Sequence, residues 1–360
     1  MLALRASTNK SNNFVNYRRL VIARRPGTTW LNKAGAMVGL CRLCQKEADL
    51  QFGHIFPRFA VKWLKKTSAT GFLRTTGSSE REQDSEREYL MCAACEQILS
   101  KDEKVFSEQI FIPYHERGET VFEYGPWLGR FLAGLHFKVI NCRSLDSGPK
   151  NVTEIIDATK MELRNFLLGQ SDKSGRAEFH LFFGDVVQDA NYEVPSKFNW
   201  YMSRSLDASL VSNLSGTVGV YAKFLKIMTF SFLTPRNTVS ERWEGTQIFE
   251  KGTLKTPQEI ESKGLGSFIT DRVKAVARAI AELPPKENER IAKSAIGNPE
   301  RALASESYRT YLADKALRQR LEERAAQARL ASPAGRMKGR DRNSPCRCGS
   351  GKKFKKCHGG

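Results

Sequence analysis

Seven of the eight cysteines fall into tight clusters, and these clusters constrain the fold more than any other feature of the 360-residue chain. Cys41 and Cys44 form one Cys-x-x-Cys pair, Cys92 and Cys95 a second, and Cys346, Cys348 and Cys357 stand with His358 at the far end. Pairs of this spacing let a tight turn present two sulfurs to one tetrahedral ion. With no secretory signal in the sequence, they point to metal thiolates in a reducing, cytoplasmic setting rather than to a disulfide framework. Cys142 is left over and is expected to be a small buried hydrophobe.

Each cluster is a complete ligand set, so two structural zinc ions are expected. The four cysteines of the first set leave no open coordination position, and that ion would hold the fold together rather than activate water. In the second, Cys346 and Cys348 are two apart in an extended segment and face the same way. Gly349 and Gly351 permit the turn that returns Cys357 and His358. A unit this small buries too little apolar surface to fold alone, and its folding free energy comes from the metal.

Between the clusters the pattern predicts an α+β chain. Ile98, Leu99, Val105, Phe106 and Ile110 recur at helical spacing over Cys95 to Ile110, and a similar stretch follows Pro126 from Trp127 to Ile140. A polar loop, Thr67 to Glu88, reads as a surface insertion. The middle of the chain predicts a helix over Thr153 to Leu168 and strands over Glu178 to Val187, Phe198 to Arg204 and Val218 to Leu233. A helix over Ser267 to Leu283 stops at Pro284 and Pro285. Asn298 and Pro299 then supply an N-cap and first helical position for a long charged helix ending near Leu330.

These readings divide the chain into a basic leader (1–36), a zinc module (37–118), an α+β middle domain (119–285), a helical stalk (286–330), a linker (331–343) and a terminal knuckle (344–360). The leader carries seven Arg or Lys and no acid, and Met37, four residues before Cys41, is a candidate start. No apolar run is long enough for a membrane span. The formal net charge of +19 makes nucleic acid the first partner to consider.

Two resemblances follow from these residues. Gly53-His54-Ile55-Phe56-Pro57 lies between the first two cysteine pairs, and Tyr89-Leu90-Met91 leads into Cys92-Ala93-Ala94-Cys95-Glu96. Residues 41 to about 112 thereby resemble HNH endonucleases with a zinc-binding Cys-x-x-Cys frame. That resemblance implies a ββα-metal, treble-clef-like module in which His54 is the general base and a divalent ion stabilises the scissile phosphate. The family's metal ligand before the base is replaced by Gly53, and its asparagine before the second pair has no counterpart in Arg87-Glu88-Tyr89. Glu96 follows the second pair, and Glu103, seven residues on, shares its helix face. The two are candidate ligands for Mg²⁺ or Mn²⁺, and Glu96 joins His54 as a candidate catalytic residue. A solvated helix face and a degenerate, non-catalytic binding module are the alternatives. His136 and His180 fall in apolar segments and read as core or boundary residues; His115 is an outside candidate for the site.

Ser344-Pro345-Cys346-Arg347-Cys348 with Cys357-His358-Gly359 resembles the SEC-C motif found at the tail of the preprotein translocase ATPase. There the motif engages an export chaperone, which implies a protein-docking role. Arg347 and Lys352, Lys353, Lys355 and Lys356 suit an acidic protein or a phosphate backbone equally.

Overall fold

A computed structural model describes residues 14–17, 29–31, 37–74, 81–142, 150–185, 187, 194–213, 215–236, 241–331, 343–346 and 348–357. It is a mixed helix and sheet protein, as the sequence predicts. Two short strands of the leader come first, β1 (Phe14–Tyr17) and β2 (Thr29–Leu31). The zinc module contains β3 (Met37–Leu40), β4 (Glu47–His54), α1 (Arg58–Lys66), β5 (Leu73–Arg74), β6 (Arg81–Glu82), β7 (Arg87–Cys92) and α2 (Ala93–Phe106). Strands β2, β3, β4 and β7 form an antiparallel sheet in that order. Its hairpin β4–β7 runs directly into α2, giving the expected ββα succession. The helix continues through two π-helical turns, Ser107–Phe111 and Pro113–Arg117, and stops at Gly118, whose φ of +66° a side chain would resist.

Next come β8 (Val121–Tyr124), α3 (Pro126–Cys142), α4 (Lys150–Leu167), β9 (Glu178–Phe183) and α5 (Phe198–Arg204). They are followed by β10 (Leu206–Asn213), β11 (Val218–Phe224) and β12 (Ile227–Phe232). A five-stranded antiparallel sheet has the order β1-β10-β11-β12-β9. The leader strand β1 is its edge, in register from Phe14 opposite Asn213 to Tyr17 opposite Leu210. Every residue of β11 and β12 is buried, because both sheet faces are covered. Alternate residues Val220, Ala222 and Phe224 join a cluster that also contains Cys41, Leu99, Phe106 and Phe131. Tyr221, Met228 and Phe230 face a second cluster with Trp243, Phe268 and Leu317. The first cluster runs unbroken from the zinc module into the middle domain, where Phe106 of α2 stacks on Phe131 of α3 at 4.0 Å. Gly134 lets those helices approach, since a Cβ there would meet Leu99 at 3.1 Å.

The remaining elements are β13 (Arg242–Glu244), β14 (Gly252–Lys255), β15 (Glu259–Glu261), α6 (Lys263–Ala281), α7 (Pro285–Gly297), α8 (Pro299–Ala304) and α9 (Glu306–Ala331). Strand β14 pairs with β8, which ties the start of the middle domain to its later part. Cys142 is buried, as expected.

Two expectations are corrected. Phe198 to Arg204 is a helix, because the amides of Asn199 and Trp200 donate to the Asp314 carboxylate of α9 at 2.9 and 3.2 Å, a cap supplied from 115 residues away. The expected single helix from Pro299 is two. Asn298 caps α8 through the Arg301 amide at 3.1 Å as predicted, but Ser305 leaves the helical region and its hydroxyl accepts from the Tyr308 amide to start α9. Nor does α9 stand off the body. Leu317 is buried in the second cluster, and Thr310 hydrogen-bonds Ser203 at 3.1 Å. The expected linker lies outside the described residues but for its two ends, and so does His358.

Candidate functional site

The first cysteine set is assembled from three elements. The turn after β3 carries Cys41 and Cys44; it closes through hydrogen bonds from the Cys41 amide to the Lys46 carbonyl and from the Gln45 amide to the Cys41 carbonyl, each 2.9 Å. Gln45 takes a positive φ of 59° to complete the turn, and its side-chain amide donates to the Cys41 and Arg42 carbonyls. Cys92 ends β7 and stands at the N-cap of α2, and Cys95 lies in the first helical turn. The four Sγ atoms lie within 4.8 Å of one another. Tetrahedral zinc with ordinary Zn–S bonds sets sulfurs about 3.8 Å apart, and Cys44 and Cys92 stand at 3.9 Å. The Cys92 amide donates to the Cys41 sulfur at 3.4 Å, a bond that favours the thiolate. Burial and the neighbouring sulfurs push the Cys95 thiol far above its ordinary range, a shift that a cation among them would reverse. The residues therefore fit a structural zinc.

The second set is local. The chain from Ser344 turns at Gly349 and Gly351, with φ of +76° and +70°, and returns to pair Pro345 with Lys353. A single 3-10 turn, Phe354–Lys356, then delivers Cys357. Cys346 and Cys357 lie 3.4 and 3.5 Å from Cys348, measured between sulfurs. A hydrogen bond from the Ser350 hydroxyl leads the influences that bring the Cys348 thiol down to about 6. Three ligands of the expected set thus converge, and the fourth, His358, lies outside the described residues. Lys352, Lys353, Lys355 and Lys356 are exposed around them.

His54 ends β4 opposite Arg87 of β7, and its Nε2 lies 2.8 Å from Asp84 Oδ2. Asp84 comes from the polar insertion, which the sequence reading treats as surface alone; nothing in the local pattern marks it as the partner of His54. Burial works to raise the Asp84 carboxyl. The hydrogen bond with His54, another from the Ser85 amide and the nearby Arg87 charge outweigh that and hold it below the ordinary carboxylate range. With Asp84 ionised, Nε2–H donates to it and Nδ1 is left as an acceptor.

Glu96 and Glu103 do share a face of α2, and the position between them, where Mg²⁺ or Mn²⁺ is expected, holds a cation of the protein itself. The ammonium of Lys138, on α3, lies 3.6 Å from Glu96 and 3.0 Å from Glu103. Burial alone would lower the lysine; the two carboxylates outweigh it and hold it charged. For Glu96 the balance falls the other way, because burial and the like charge of Glu103 exceed the pull of one ammonium, and its carboxyl is raised. Glu96 also lies against Gly53, where an added Cβ would meet its Oε1 at 2.5 Å. Its carboxylate thus fills the space that a side chain before His54 would take.

Each of the other three described histidines has hydrogen-bond partners within the fold. His136 bonds Ser231 and Thr229, each at 2.8 Å, and His180 bonds Thr246 and Glu178. His115 stacks on Phe111 and lies against Trp63 of α1, with Nδ1 on the Phe111 carbonyl. Among the described residues no helix is long and apolar enough to cross a membrane. Residues 342–360 match the SEC-C motif family. No curated protein and no solved structure matches the chain.

Proposed function

We propose that the chain is an HNH-like endonuclease that hydrolyses phosphodiester bonds of nucleic acid, with His54 as general base and a zinc-held terminal knuckle that docks it to a partner. One observation carries the reading: His54 sits at the end of the hairpin in a zinc-framed ββα unit, with Asp84 fixing its tautomer. Nδ1 takes the proton of the attacking water. Asp84 accepts from Nε2–H and stabilises the imidazolium that forms. Arg87, across the hairpin, brings positive charge to the phosphate. Lys138 holds the position between the two glutamates, which leaves the base chemistry to His54 and Asp84. The terminal knuckle, with its four exposed lysines, suits an acidic protein partner.

His54→Ala should reduce cleavage by roughly 10²–10⁴-fold and leave zinc content unchanged. Asp84→Asn should also reduce it, since an amide can hold the imidazole in the wrong tautomer. Glu96→Gln, assayed with and without excess Mn²⁺, tests whether a metal enters by displacing Lys138; cleavage with no dependence on added ion or on Glu96 would exclude it. The Lys138 arrangement favours a second reading, a non-catalytic zinc adaptor that binds nucleic acid or protein. Protein that binds but never cuts DNA or RNA, across Mg²⁺, Mn²⁺, Co²⁺ and Ni²⁺, would establish that reading in place of the first.

A further inference from the structure

Single exposed hydrophobic side chains are ordinary at a protein surface and adjoining ones can mark a binding site; the zinc hairpin presents two aromatic rings side by side. Phe52 of β4 is 45% exposed and Tyr89 of β7 is 39% exposed. They are register partners across the hairpin, just beyond an irregularity between Gln51 and Phe52, and their rings stack at 4.8 Å with 27° between planes. The position a Cβ of Gly53 would take lies against Glu96 of α2. Strand alternation therefore turns Phe52 and His54 together to the opposite, outer face.

The rings are continuous with the His54 cluster. The Arg87 guanidinium lies over the Phe52 ring at 4.6 Å and is held there by donating to the Phe52 carbonyl from Nε and Nη2, at 3.0 and 2.8 Å. Its other terminal nitrogen is 3.7 Å from Asp84, which holds His54. Aromatic pair, guanidinium, carboxylate and imidazole thus form one row. Just past His54, α1 sets Arg58, Lys62 and Lys66 at four-residue intervals, all exposed, with no acidic residue in the helix.

We propose that this outer face of β4 and β7 is a stacking platform for an unpaired nucleobase, so that the chain takes single-stranded nucleic acid, with a base on Phe52 and Tyr89 and the adjoining phosphate over Arg87 and His54. The inference deepens the hydrolase reading and rests on it for the position of the reacting phosphate. Only an unpaired base offers its π-face to a side chain at the surface; a duplex keeps those faces stacked. A protein partner would call for a wider apolar patch than two rings bordered by an arginine. The +19 charge and the basic stripe of α1 favour a polyanion.

The test is binding of the full-length protein, with no divalent ion added, to a fluorescent mixed-sequence oligonucleotide in three forms: single-stranded DNA, single-stranded RNA and a duplex of the same sequence. Wild type should bind at least one single strand more tightly than the duplex. Phe52→Ala and Tyr89→Ala should each weaken that binding about tenfold and change duplex binding little, with two zinc ions per chain retained as the check on folding. Phe52→Tyr should restore it. Lys62→Gln and Lys66→Gln should weaken all three forms alike and flatten the salt dependence. The platform is overturned if the Phe52→Ala, Tyr89→Ala double variant, zinc-replete, binds single strands as wild type does, if the duplex is preferred, or if no oligonucleotide binds. These outcomes are separate from those of the hydrolase reading. Stacking-dependent binding by a protein that cuts nothing would retain the platform and remove the nuclease, and His54-dependent cleavage with affinity indifferent to Phe52 and Tyr89 would do the reverse.

Discussion

The two cysteine-rich ends of the molecule use similar ligands to opposite structural ends. In the first set the sulfurs come from a turn, a strand end and a helix start, 41 to 95 in sequence, and Cys41 and Cys95 belong to the same apolar cluster as Leu99, Phe106 and Phe131. The terminal set is gathered within a dozen residues by two left-handed glycines and one 3-10 turn, and among its described residues Phe354 is the one buried side chain besides Cys346. One site is a corner of a large core; the other is a core in itself. Zinc bound at each would therefore stabilise a neighbouring domain in one place and its own loop in the other.

The hardest test of that contrast is to remove one interior ligand. Cys92→Ser breaks the first set at the residue that joins β7 to α2, and it should lose one zinc per chain together with the cooperative folding of residues 37–118. Because that module shares its core with α3 and β11, the melting temperature of the whole protein should fall. Calorimetry with metal analysis reads both effects. An unchanged melting temperature with one zinc lost would make the interior site as dispensable as the terminal one.

A second substitution asks whether the interior site owes its rigidity to the metal alone. Lys138 reaches from α3 to Glu96, one residue after Cys95, and its side chain is only 5% exposed. Lys138→Ala leaves two carboxylates facing each other without a cation, and should destabilise the protein by about 3 kcal/mol, the lower end for breaking a buried pair because each glutamate is about a quarter exposed. Restoration by Mn²⁺ or Mg²⁺ would show that the two carboxylates can hold a hard ion once the ammonium is gone. Chemical denaturation with and without the ion measures both.

What the sequence made legible follows the same division between local and distant causes. The Cys-x-x-Cys pairs, the Asn298 cap and the helices over Ala93–Phe106 and Pro126–Cys142 are written in residues within a turn or two of each other. So is the buried hairpin of β11 and β12, whose continuous apolar run reflects two covered faces. The helix α5 was not legible, because its cap is Asp314 and its residues are buried on all sides, which erases the helical period. The partner of His54 lies 30 residues away in a loop chosen for polarity alone. The cation between Glu96 and Glu103 comes from a different helix, 35 residues past Glu103. Ligand types could be named from the chain; which charges meet was fixed by packing.

A smaller effect is expected at the edge of the interior site. The Asp84 carboxyl is held below its ordinary value in the folded protein, so its contribution to stability is fully present above the unfolded value of about 3.9 and is lost as pH falls through the folded value. The pair with His54 is partly open, Asp84 being 40% exposed, and screening limits the contribution to about 0.2–1 kcal/mol. Wild type should exceed Asp84→Asn by that amount at pH 5 to 6, and the two should converge in acid once pH falls below the lowered Asp84 value. A gap that persists unchanged into acid would mean that the ion pair contributes nothing and that the amide fails for steric reasons.

The smallest effect on the body should come from the other end. Removing residues 332–360 takes away the terminal ligand set, and backbone hydrogen bonds of the knuckle run within it, among them Cys346 to Lys352, Phe354 to Ser344 and Cys357 to Phe354. Zinc content should drop from two ions per chain to one, and the melting temperature of the remainder should stay where it was, because α9 ends at Ala331 and buried Thr310 and Leu317 lie well before the cut. Cys346→Ser in the full chain should reproduce the loss of one zinc at equal stability, which separates the metal from the deletion. A lowered melting temperature in the truncated protein but not in Cys346→Ser would show that the tail's chain, rather than its metal, packs on the body. A fall in both would join the two zinc sites into one folding unit and dissolve the contrast between them.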